Sequence, residues 1–198
     1  LDHHHAVRAP GQHAAGGDAN GLAGCDRHLP NFAHGNGTGD LEEGRAGVAG
    51  TERGGGAKGV ILSQAGRFGG WSLYLKKGKP TYTYNFVGLK RFTIAARNPV
   101  PAGKATIRFE FAYDGGGLGK GGTSTLFVNG KQVARGRIEQ TQSMIFSADE
   151  GADVGQDGET PVVETYGIKA PYTFTGKINK ITVDVKEMGK AEKAQEKK

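Results

Sequence analysis

The chain has 198 residues, 35 of them glycine, with a formal net charge of +6 and one cysteine. That length suits one domain with a tail. Glycine without a three-residue period excludes collagen, no apolar run approaches the ~20 residues of a membrane-spanning helix, and Cys25 alone makes no internal disulfide.

Composition divides the chain near residue 59. Residues 1–59 hold all six histidines (His3, His4, His5, His13, His28, His34), Cys25 and 15 of the glycines, but only one aromatic residue, Phe32. No hydrophobic period of 2 or 3.6 runs through them, and such a stretch buries too little apolar surface to offset its ordering entropy. Residues 1–58 are therefore expected to be a low-complexity segment, disordered or read out of frame. The N-terminus lacks the basic-then-apolar order of a signal peptide. Weak metal binding by the histidines is set against a cloning remnant at His3–His5. Cys25 matches no nucleophile or metal spacing.

From residue 59 to 187 the pattern is that of strands. Val60-Ile61-Leu62 is a short apolar run. Trp71, Leu73 and Leu75 alternate with Ser72, Tyr74 and Lys76, a period of two. After a turn at Lys77–Pro80, Tyr82, Tyr84 and Phe86 share one face. Arg91–Ile94 is a further strand, ended by Asn98-Pro99. Ile107, Phe109, Phe111 and Tyr113 alternate with Thr106, Arg108, Glu110 and Ala112, and Arg108 and Glu110 form an outward ion pair. Thr123–Ile138 reads as a hairpin about Asn129-Gly130, the pair preferred where two turn positions need positive φ; this sets Leu126 opposite Val133. Ile181, Val183 and Val185 alternate near the end, and residues 188–198 form a charged tail. Short strands joined by turns, with no helical period, predict an all-β, antiparallel β-sandwich. Phe109, Phe111, Leu126 and Val183 are expected in its core.

Residues 60–198 contain neither histidine nor cysteine. A Ser-His-Asp or Cys-His arrangement cannot be built there, nor a zinc site of the usual kind. Gly117, Gly119 and Gly122 satisfy G-x-G-x-x-G, but a strand follows where a dinucleotide site requires a helix. Lys120 precedes Gly121, not Ser or Thr, so a P-loop fails too. The stretch reads as a long inter-strand loop, able to contact a ligand or neighbouring domain. Asp149, Glu150, Asp153, Asp157, Glu159 and Glu164 crowd a second Gly-bearing loop. Oxygen ligands of that kind suit calcium, with Asp149, Asp153 and Asp157 as candidate ligands, although the EF-hand order is missing and a solvated acidic loop is the plainer reading. Glu110, Asp114 and Glu139 are the residues a glycoside hydrolase would need as paired carboxylates, but they do not cluster on one strand face. Lysines and arginines are dispersed, which argues against nucleic acid as partner.

Four stretches carry a resemblance: GVILSQAGRFGGWSLYLKKGKPTYTYNFVGL at 59–89, PAGKATIRFEFAYDGGGLGKGG at 101–122, LFVNGKQVARGRI at 126–138 and FSADEGADVGQDGETPV at 146–162. On these, residues from about 56 to 185 resemble the C-terminal domain of the large bacterial arylsulfatases, a periplasmic or secreted family. The resemblance implies a jelly-roll sandwich of concanavalin/laminin-G type. It also implies a non-catalytic accessory role, packed on a sulfatase catalytic domain and shaping substrate access. The family's oxidised Cys or Ser in C/S-x-P-x-R and its calcium-holding carboxylates belong to a catalytic domain that these residues do not match. Cys25 lacks the required Pro and Arg, so the chain is expected to be inactive alone and to need no cofactor beyond the candidate calcium. The alternative is a carbohydrate-binding module for sulfated glycans, with Tyr74, Tyr82 and Tyr84 as candidates for its aromatic platform, although such tyrosines more often pack in the core. Under the accessory reading, Asp114, Gly117, Lys120, Asp149, Glu150 and Asp153 line the loops that dock on the partner domain.

Overall fold

The computed structural model describes residues 5–7, 43–51, 56–143, 146 and 150–185. Cys25, Asp149, the predicted tail at 188–198 and five of the six histidines lie outside them. The described residues contain eleven strands and no α-helix. The strands are β1 (His5–Val7), β2 (Glu43–Thr51), β3 (Gly59–Gly66), β4 (Gly69–Lys76), β5 (Lys79–Phe86), β6 (Lys90–Ala95), β7 (Thr106–Tyr113), β8 (Gly122–Val128), β9 (Lys131–Ile138), β10 (Ala152–Val154) and β11 (Ile178–Val185). They form a six-stranded sheet, β1-β11-β2-β7-β8-β9, and a five-stranded sheet, β10-β3-β4-β5-β6, with antiparallel pairing throughout both.

The sandwich core is built from the alternations read in the sequence. Leu73, Leu75, Tyr82, Tyr84 and Ile94 from the smaller sheet meet Ile107, Phe109, Phe111, Leu126, Ile181 and Val183 from the larger. Tyr82 stacks face to face on Phe109 with ring centroids 3.6 Å apart, a contact that joins the sheets. All four expected core residues, Phe109, Phe111, Leu126 and Val183, are buried. The β8–β9 hairpin turns at Asn129 (φ 51°) and Gly130 (φ 79°), both left-handed as expected. Its register differs by one residue from the expectation. Leu126 faces Ala134, not Val133, because a β-bulge falls between Leu126 and Phe127 and adds a residue to the returning strand.

Two strands lie within residues 1–58. β2 pairs with β7 on one side and β11 on the other, and β1 pairs with β11. The sequence of β2, EGRAGVAGT, carries no alternation because glycine and alanine occupy most of its positions. Ladder hydrogen bonds use the backbone alone, so a strand of this composition leaves almost no periodic signal.

The smaller sheet departs most from a half-buried pattern. β3 is buried at every position, as are nearly all residues of β4 and β5. Residues 155–175 run across the outer face of this sheet and form a second small core in which Val162, Val163 and Tyr166 pack on Val60 and Tyr74. Tyr74 meets Tyr166 edge to face at 4.8 Å. The covering segment is hydrogen-bonded to the sheet from Val60 N–H to the Tyr172 carbonyl (2.9 Å) and from Lys76 Nζ to the Thr165 carbonyl (2.7 Å).

Candidate functional site

The connections β3–β4, β5–β6 and β7–β8 all emerge at one end of the sandwich, and Thr141 and Gln142, after β9, reach from the β7–β8 loop to the smaller sheet. The β7–β8 loop, residues 114–121, is held from within. Tyr113 Oη donates to the Gly117 carbonyl (2.5 Å) and accepts from the Lys120 N–H (2.8 Å). Thr141 crosses to this loop, its N–H reaching the Gly119 carbonyl (3.3 Å) and its hydroxyl donating to the Lys120 carbonyl (2.7 Å). The next residue, Gln142, donates its N–H to Tyr84 Oη (2.7 Å) and lays its side-chain amide against Gly69. A Cβ at Gly69 would displace that amide, and the φ of 155° at Gly69 is one that other residues rarely adopt.

Asn85 ties the other two turns. Its buried amide donates to the carbonyls of Gly66 (3.0 Å) and Arg67 (2.8 Å) in the β3–β4 turn and lies 3.4 Å from that of Val162. Its Oδ1 accepts from Gly88 N–H in the β5–β6 turn (3.0 Å). Backbone groups that would otherwise be buried and unpaired are thereby satisfied, and both turns are pinned to one residue.

On this fixed base stand large apolar side chains. Phe68 is 75% exposed on the β3–β4 turn and Leu89 is 84% exposed on the β5–β6 turn; Val87 and Leu118 are also exposed. Four of the five exposed large apolar residues among the described residues thus crown one end of the sandwich. Single exposed apolar residues need no explanation, whereas several at one end of a domain form a candidate interaction surface. Around them the charges are mostly paired. Asp114 binds Arg137 through two hydrogen bonds (2.8 and 2.6 Å), Glu139 binds Lys90 (2.5 Å) and Glu164 binds Arg91 (2.7 Å). The Arg137 guanidinium holds the Asp114 carboxyl below its ordinary range, and the Lys90 ammonium does the same for Glu139.

Of the residues expected to line docking loops, Asp114, Gly117 and Lys120 are on this rim. Glu150 joins them, its carboxylate lying against Gly66. Asp153 does not. It sits in β10 opposite Ser63, part-way down the sheet. Asp149 falls outside the described residues. Asp157 is a structural carboxylate, 1% exposed, which accepts from Gly158 N–H (3.0 Å), Val162 N–H (3.0 Å) and the Tyr166 hydroxyl. Burial pushes the Asp157 carboxyl up and the Tyr166 hydroxyl well up. Both Asp157 oxygens accept hydrogen bonds from the covering segment, and no group of three metal-ligating side chains occurs among the described residues, which leave out Asp149. The carboxylates weighed for glycoside hydrolysis are each bound in an ion pair, Glu110 to Arg108 at 2.6 Å on the outer sheet face. Of the two readings of Tyr74, Tyr82 and Tyr84, core packing holds and the aromatic platform does not: all three are 2% exposed, Tyr82 and Tyr84 in the sandwich core and Tyr74 beneath the covering segment. Phe68, Leu89 and Leu118 were not singled out in the sequence. Their signal was available, since large apolar residues flanked by glycine stood in turns where small polar residues are the norm.

No protein-family model and no curated protein matches the sequence. Among solved structures, the NanB sialidase of Streptococcus pneumoniae is similar in one complex with Optactamide, with a TM-score of 0.52 at 12% identity. A second NanB complex, with 2-[(3-chlorobenzyl)ammonio]ethanesulfonate, has a TM-score of 0.51 at 13% identity. Each match covers 79% of this chain and 24% of the NanB chain, so the likeness spans about a quarter of that longer protein. The Ruminococcus gnavus IT-sialidase CBM40 bound to alpha2,6 sialyllactose aligns over 76% of this chain and 80% of its own, with a TM-score of 0.46 at 18% identity. Fold and rim together define the class: an all-β antiparallel sandwich whose loops at one end carry exposed apolar side chains.

Proposed function

We propose that the sandwich is a non-catalytic carbohydrate-binding module that takes sugar on its loop rim. The observation carrying this reading is the exposed Phe68, held on a turn that Asn85 pins, with the polar groups of Arg67 and Lys120 on the same rim. A flat apolar ring packs against the C–H face of a sugar while a few fixed polar groups orient it, which is the usual division of labour in a ligand site. Catalysis is not part of the proposal, because residues 60–198 lack histidine and cysteine and the three candidate carboxylates, Glu110, Asp114 and Glu139, are each held in an ion pair. The test is a titration of the full chain, followed by heteronuclear NMR, against neutral, sialylated and sulfated oligosaccharides, each with and without calcium. Shifts confined to 66–70, 87–91 and 114–121, abolished by Phe68→Ala, support it. No shift with any glycan ends it.

A second reading is favoured by a different observation. Leu89 and Leu118 are aliphatic and offer more apolar surface than a sugar needs. That suits docking on a protein, and the resemblance to arylsulfatase C-terminal domains supplies the candidate, a sulfatase catalytic domain whose substrate entrance the rim would shape. Leu89→Ser separates the readings: it weakens association with a separately produced arylsulfatase catalytic domain and leaves glycan binding intact.

A further inference from the structure

We infer that the ligand of the rim is an anionic carbohydrate, with Arg67 and Lys120 as the cations that hold its sulfate or carboxylate groups; this rests on the carbohydrate reading above. The argument is one of uncompensated charge. Asp114, Glu139 and Glu164 have partners in Arg137, Lys90 and Arg91, so those six side chains cancel in pairs. Arg67 and Lys120 are exposed and have no carboxylate within ion-pair distance among the described residues. Arg67 immediately precedes Phe68, and Lys120 lies two residues after Leu118. Both backbones are fixed: Arg67 by its N–H to the Thr160 carbonyl (3.0 Å) and by Asn85 at its own carbonyl, Lys120 by Tyr113 and Thr141. A cation whose backbone is immobile loses less entropy on binding than one on a free loop. Charge-assisted hydrogen bonds to sulfate or carboxylate are also about twice as strong as neutral ones.

Two nearby carboxylates oppose this: Glu150, which lies against Gly66 on the same rim, and Glu159. Glu159, exposed and adjacent to Thr160, stands on the Arg67 side of the rim without a cation within ion-pair distance among the described residues. Its field weakens anion binding there, which predicts that removing the charge improves affinity.

The probes are dextran sulfate and neutral dextran oligosaccharides of equal length, titrated calorimetrically into the full chain at low and moderate salt. Dextran sulfate is expected to bind at least tenfold tighter than dextran, and salt to weaken it. Arg67→Gln and Lys120→Gln each reduce its affinity about two- to fivefold, the scale of an exposed ion pair. Glu159→Gln raises it about twofold, and Lys104→Gln, at the opposite end of the sandwich, changes nothing. Equal binding of both dextrans, unaffected by the two rim substitutions, overturns the anionic inference and leaves the carbohydrate reading standing. Loss of dextran sulfate binding in Lys104→Gln as large as in the rim variants overturns it as well, by showing a diffuse cationic attraction. Failure of every glycan, in this and the preceding titration, removes both.

Discussion

The buried amide of Asn85 in β5 and the carbonyl of Arg67 in the β3–β4 turn are joined by a 2.8 Å hydrogen bond. The same amide serves Gly66, and its oxygen serves Gly88, so one side chain connects the turn bearing Phe68 to the turn bearing Leu89. The rim is thus assembled around a polar group that no solvent reaches.

Asn85→Ala would leave those carbonyls and the Gly88 N–H without their partner. An unsatisfied buried group costs about 1–3 kcal/mol, and a loss of about 2–3 kcal/mol is expected in chemical denaturation at unchanged m-value. Hydrogen exchange adds the sharper readout: amides of 66–70 and 87–90 become fast while those of β7 and β8 stay protected. Uniform acceleration over the whole sandwich would refute a local role.

Asp157 and Tyr166 anchor the covering segment. Tyr166→Phe removes the hydroxyl that donates to the buried carboxylate. The expected cost is about 1–3 kcal/mol, accompanied by faster exchange across 157–172. A neutral effect on stability would mean that apolar packing on Val60 and Tyr74 alone holds the segment.

Asp153 sets a pH dependence. Burial raises its carboxyl above the ordinary value, so the folded state binds this proton more tightly than the unfolded chain does. The ionised group therefore lowers stability above the folded pKa, and the penalty disappears as pH falls below the unfolded value of roughly 3.9. Asp153→Asn should raise Tm at pH 7, with the gain shrinking to nothing near pH 3.5. A gain that is constant with pH would show that charge is not its cause. Asp114 and Glu139 act with the opposite sign: their depressed values contribute stability that is lost on acidification.

Gly130 isolates the value of a turn conformation. Its φ is 79°, and a Cβ placed there meets nothing within 4 Å. Gly130→Ala therefore carries only the backbone penalty, about 1 kcal/mol, measurable as a shift in denaturation midpoint. A cost above about 2 kcal/mol would point to a distorted hairpin, visible as lost cross-strand contacts between Leu126 and Ala134.

Local features were legible in the sequence by itself. Period-two alternation located β4, β5, β7 and β11 and placed Phe109, Phe111, Leu126 and Val183 in the core, because side chains on a strand point to opposite faces whatever surrounds them. Asn129-Gly130 specified its turn through φ preferences that belong to two residues alone. Tertiary structure decided the rest. Ser72, Thr81 and Thr83 alternate with apolar neighbours as solvent-facing residues would, yet all three are buried. Their cover comes from residues 155–175, and the Asn85–Val162 contact spans 77 positions. Alternation says that two faces differ; it carries no information about a distant segment that covers one of them. The same limit hid the rim. Phe68, Leu89 and Leu118 are separated along the chain by 21 and 29 residues; strand pairing within one sheet sets the turns of Phe68 and Leu89 side by side, and only the packing of the second sheet on it brings the Leu118 loop to the same end.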